Sequence, residues 1–66
     1  MKEVRITEIF DDAGNLSRLE AVEVDSGVHV LDGHWDPQDE QTPDNRATFR
    51  SWFNEMLRRK GYESIN

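Results

Sequence analysis

The chain contains no cysteine. That excludes a disulfide framework and a thiolate zinc site, and it leaves the redox compartment undetermined. With two prolines and four glycines in 66 residues, no low-complexity tract or internal repeat is visible. Long apolar runs are missing too, and nothing approaches the roughly 18 residues that a membrane-spanning helix needs. The opening Met1-Lys2-Glu3-Val4-Arg5 lacks the apolar stretch of a secretory signal. A cytoplasmic protein without a membrane partner is the simplest expectation.

Cations are scarce where anions are dense. Between Leu19 and Asn45 stand eight carboxylates (Glu20, Glu23, Asp25, Asp32, Asp36, Asp39, Glu40 and Asp44) and no Lys or Arg. The stretch from Arg46 to Lys60 reverses this, with Arg46, Arg50, Arg58, Arg59 and Lys60 against Glu55 alone. A net charge of −6 disfavours generic attraction to phosphate backbones or anionic lipid, so nucleic acid is not the expected partner. Such charge separation bears on which partners meet and how fast, not on the fold.

A chain of this size forms one domain, residues 1–66, and buries only about 60% of the surface its unfolded form exposes. Its small core must rely on packing, caps or a partner chain. Six aromatics among 35% hydrophobic residues argue against full disorder.

The last element is the best specified. Thr42 stands as N-cap, Pro43 fits the first helical position, and Asp44 puts negative charge in the first turn. Phe49, Trp52, Phe53, Met56 and Leu57 repeat on a 3.6-residue period and form the expected core face. Arg58, Arg59 and Lys60 complement the negative helix end, and Gly61 supplies a left-handed stop. The spacing therefore predicts a helix over residues 42–61.

Upstream, short apolar runs punctuated by turn residues read as strands over a sheet region of residues 3–35. Val4 and Ile6 alternate with charged neighbours until the phase breaks at Ile9 and Phe10, where a bulge near Glu8 or a strand end is expected. Residues 11–15 and 25–27 have turn composition. The register of residues 16–24 is ambiguous, because Leu16, Leu19 and Val22 also suit a short helix. Val28 and Val30 mark a third strand, with a kink at Asp32-Gly33. Residues 36–41 form an acidic linker. The expected fold is α+β, a three-stranded antiparallel β-meander with one C-terminal α-helix packed on one face.

For chemistry, His29, Asp32, His34 and Asp36 are the only ligand-type residues at short spacing, weak candidates for a divalent metal. On a strand His29 and His34 have opposite parity and converge only if the chain kinks. Adjacent acids such as Asp11-Asp12 fall in solvated turns, no nucleophile elbow or phosphate loop is present, and little volume remains for a substrate pocket. The chain reads as a non-enzyme without a cofactor.

A binding role fits better. The acidic surface carrying Asp25, Asp32, Asp36, Asp39, Glu40 and Asp44, with Trp35 as an anchor among them, is the expected site for another protein with a basic surface, in the manner of an inhibitor or adaptor. The alternative is a homodimer or assembly subunit joined through an open sheet face or edge. Arg46 and Arg50 are expected either to fold back onto sheet carboxylates such as Glu20 or Glu23 or to face outward.

Overall fold

A computed structural model describes residues 1–66. Strands β1 (Lys2–Phe10), β2 (Leu16–Glu23) and β3 (His29–His34) form the antiparallel meander, and helix α1 (Pro43–Arg59) packs on it. A fourth strand, β4 (Tyr62–Ser64), lies parallel to β1, so the sheet order is β3-β2-β1-β4. Three residues are too few to display an alternation, which is why β4 leaves no mark in the sequence pattern. No helix is long and apolar enough to cross a membrane.

The ambiguous register of the second strand resolves through a bulge. Ile9 pairs with Arg18 but Phe10 pairs with Leu16, leaving Ser17 as an extra residue on β2. That insertion puts Leu16 and Leu19, three apart in sequence, on the same side of the sheet, and both are fully buried. Their spacing imitates helical periodicity; the cause is the bulge. The phase break expected near Glu8 thus lies opposite Ile9 and Phe10, on the partner strand.

A second irregularity sits in β3. Leu31 pairs with Ala21 and His29 with Val22, so Val30 is the extra residue there. This bulge replaces the kink expected at Asp32-Gly33. Its consequence is that His29 shares a face with Asp32 and His34, against the parity of a regular strand.

Val4, Leu16, Leu19, Ala21, Phe53 and Leu57 make the core, with Ile6, Val30, Leu31, Trp35, Phe49 and Tyr62 packed around it. Of the expected helix stripe, Phe53 and Leu57 are buried and Phe49 and Met56 half-buried, whereas Trp52 is 47% exposed. Gly33 is buried beneath the helix because a Cβ there would stand 2.8 Å from Cδ1 of Phe53 and 3.1 Å from Cζ3 of Trp52. The missing side chain is what lets the aromatic rings rest on the strand.

Both helix ends follow their signals. Thr42 Oγ1 accepts the Asn45 amide at 3.1 Å. At the other end Gly61 has φ +90° and donates its amide to the Arg58 carbonyl at 3.0 Å, after which the chain turns into β4 with Tyr62 against the core.

The two sides of the sheet end differently. Beyond β4, the Asn66 side chain accepts the Ile6 amide at 2.9 Å and donates to the Ile6 carbonyl at 2.8 Å, extending the ladder with one primary amide. The β3 edge is short, bulged and carries Asp32, devices that discourage strand addition. The face away from the helix carries Arg5, Thr7, Arg18, Glu20, His29, Asp32 and His34 around the apolar Ile9 and Val22. Leu31 and Trp35 pack with the core.

Two substitutions test this construction by chemical denaturation. Gly33→Ala should lose about 1–3 kcal/mol through overpacking against Phe53. Gly61→Val should lose on the order of 1 kcal/mol or more, because a β-branched residue resists positive φ. Wild-type stability in either variant would contradict the placement of that glycine.

Candidate aromatic–acidic cleft

The segment between β3 and α1, expected as a solvated linker, is tied down at almost every residue. The Trp35 amide donates to the Ser17 carbonyl at 2.9 Å, and its indole Nε1–H donates to the Asp39 carbonyl at 3.1 Å. Asp36 accepts the Gln38 amide on Oδ1 at 3.0 Å and the Asp39 amide on its carbonyl at 3.0 Å. Gln41 then bonds both the amide and the carbonyl of Leu16 at 2.9 Å each. Its Oε1 also accepts Arg46 Nε at 3.2 Å. Asn45 Nδ2 donates to the Glu40 carbonyl at 2.9 Å.

This turn and the first half of the helix enclose an open cleft of about 320 Å³, lined by Trp35, Asp36, Asp39, Asn45, Thr48, Phe49 and Trp52. Phe49 stands edge-on to Trp35, with centroids 5.2 Å apart and planes at 82°. It lies nearly parallel to Trp52, at 6.0 Å and 13°. Phe53 braces Trp52 from the next position at 6.4 Å. Trp35 therefore closes against Phe49. The rings are held by one another and by the turn before any ligand arrives.

The sequence-expected acidic site separates into parts. Trp35, Asp36 and Asp39 line the cleft. Glu40 belongs to the same turn and Asp44 to the first helical turn beside it, both exposed. Asp25 lies in the turn between β2 and β3, at the far end of β3 from Trp35, and Asp32 lies on the uncovered sheet face. Asp25, Asp36, Asp39, Glu40 and Asp44 make no ion pair, whereas Glu8 pairs with Arg50 at 2.6 Å, Glu20 with Arg18 at 2.9 Å and Glu55 with Arg59 at 3.3 Å. Arg50 thus folds back on the sheet, but onto Glu8 instead of Glu20 or Glu23.

The metal candidates are regrouped. Glu20, His29 and Asp32 each bring one ligand atom within 4.8 Å of the others, with His29 Nδ1 3.4 Å from Asp32 Oδ1. His34 is on the same face, opposite Arg18, while Asp36 has left it for the cleft. Glu20 is the member that the sequence reading missed, since it comes from the neighbouring strand.

Sequence reasoning also missed Phe49 and Trp52 as cleft residues, assigning both to the core. A signal existed: on a helical projection Trp52 marks one margin of the apolar stripe, the place where burial fails first. Comparison with protein-family models, with curated proteins and with solved structures found no match. The functional reading therefore rests on the cleft's own chemistry.

Because Asp36 and Asp39 lack ion-pair partners, the double variant Asp36→Asn, Asp39→Asn should keep its stability within about 0.5 kcal/mol of wild type or gain slightly. A loss of several kcal/mol in a denaturant titration would instead assign the two carboxylates to holding the turn.

Proposed function

We propose that this chain is a small binding module that engages a basic surface of a larger protein through the side bearing the aromatic–acidic cleft, acting as an inhibitor or adaptor. The reading extends to a cytoplasmic setting and involves no catalysis or cofactor. One observation carries it: the carboxylates of Asp36, Asp39, Glu40 and Asp44 are exposed and free of ion pairs around a half-open set of aromatic rings. Unpaired anions at a concave, water-accessible aromatic wall contribute little to folding and are well suited to meeting a cation. Exposed Trp52 at 47% supplies the large, rigid contact area typical of an interface anchor.

Association through this surface should be steered by charge and weaken as ionic strength rises. Affinity capture from the native host at about 0.1 M and about 1 M salt, with the wild type and the Asp36→Asn, Asp39→Asn variant side by side, checks this. The expected result is a partner retained by the wild type at the lower salt, released at the higher, and depleted with the variant. Equal recovery under all conditions would remove the charge-led reading.

A further inference from the structure

We infer that the cleft is a seat for a single arginine side chain of the partner, with the guanidinium lying on the exposed face of Trp52 and directed at Asp36 and Asp39. The inference rests on the binding role proposed above and narrows it to one residue type. Trp52 has Phe49 nearly parallel to it at 6.0 Å and Phe53 at 6.4 Å, yet remains 47% exposed. A fixed indole that still presents this much surface is a ready stacking platform for a planar cation. The cleft it borders also contains Asp36 and Asp39, whose carboxylates have no ion pair. Two kinds of side chain, aromatic and carboxylate, thus belong to residues lining one volume of about 320 Å³.

Guanidinium satisfies both at once. It is planar, weakly hydrated and carries donors in its own plane, so it stacks on a ring while its edge bonds to a carboxylate. An ammonium group is a compact, strongly hydrated charge that gains less from the ring. The remaining polar lining is uncharged, Asn45 and Thr48 on the helix wall, so no cation of this chain borders the seat. The chain's own cations do not fill the seat. Arg46 bonds Gln41 and Arg50 bonds Glu8, while Arg58, Arg59 and Lys60 stand at the opposite end of the helix.

The test uses three acetylated, amidated peptides of one sequence whose central positions are arginine, lysine or citrulline. They are titrated into the intact chain while the indole N–H signals of Trp35 and Trp52 are followed by NMR. The arginine peptide is expected to move the Trp52 signal and to bind roughly two- to fivefold more tightly than the lysine peptide, with the uncharged citrulline peptide weaker than both. Trp52→Ala, whose fold is verified by its backbone amide spectrum, should abolish the preference for arginine. Asp36→Asn, Asp39→Asn should weaken both charged peptides alike. Equal affinity for arginine and lysine, unaffected by Trp52→Ala but lost in the aspartate variant, would overturn the seat while leaving the charge-led binding role standing. No response of Trp52 to any peptide at low salt would overturn the seat as well, and the capture experiment would then decide the broader role by itself.

Discussion

The arrangement of the molecule depends on one contact, the Phe53 ring of α1 resting on the bare backbone of Gly33 in β3. A Cβ at Gly33 would come within 2.8 Å of that ring, so the absence of a side chain sets how closely helix and sheet approach. Phe53 is fully buried over Gly33, whereas Trp52, about 100° around the helix, reaches the same glycine with Cζ3 yet stays 47% exposed. The cleft opens on the side where the second of these two adjacent aromatics is only partly covered.

Short chains meet a second constraint, the backbone groups left over where strands are irregular or end. Here two primary amides resolve it in the same manner. Gln41 bonds the amide and carbonyl of Leu16, next to the Ser17 bulge, and Asn66 bonds those of Ile6, just past the end of β4. Each side chain substitutes for a residue of a neighbouring strand. Gln41 has a further effect: by fixing the chain immediately before Thr42 to the sheet, it sets where the helix begins and how far the Asp36–Glu40 turn stands from Trp52. A bond that closes the sheet also frames the cleft.

The legible and illegible parts of this sequence divide along physical lines. Caps, helix period and turn residues act locally, so Thr42, Pro43, Gly61 and the aromatic spacing announced the helix almost to the residue. The meander and the α+β class followed from alternation between turns. What could not be read depends on pairing with a distant segment. The bulges at Ser17 and Val30 change which side chains share a face, and neither residue type marks a bulge by itself. Strand β4 forms because β1 offers an edge to Tyr62–Ser64, a run of three residues too short to announce a strand by itself. For the site, Trp35, Asp36 and Asp39 were legible as an aromatic flanked by charge. Phe49 and Trp52 were placed in the core, because the helical projection sets Trp52 and Leu57 at the two margins of the stripe without saying which margin the sheet leaves open, and Asp25 was grouped with the site only through closeness in sequence.

Nine of the fourteen carboxylates make no ion pair, an excess that ordinarily opposes folding through mutual repulsion. Helix polarity explains how four of them are tolerated. Asp44 lies in the first turn of α1, and the turn bearing Asp36, Asp39 and Glu40 leads directly into Thr42, so this anionic group gathers at the end where free amides give the helix positive character. Arg58 and Arg59 occupy the last turn, where the opposite character favours cations. The two ends are thus stabilised separately, each by the helix, without needing to neutralise one another. Arg46, the cation next to Asn45, bonds Gln41 Oε1 and forms no ion pair with the acids of the cleft. With Arg46 and Arg50 engaged by Gln41 and Glu8, and Arg58 and Arg59 at the far end of the helix, the anions remain available to another molecule while the fold holds them in place.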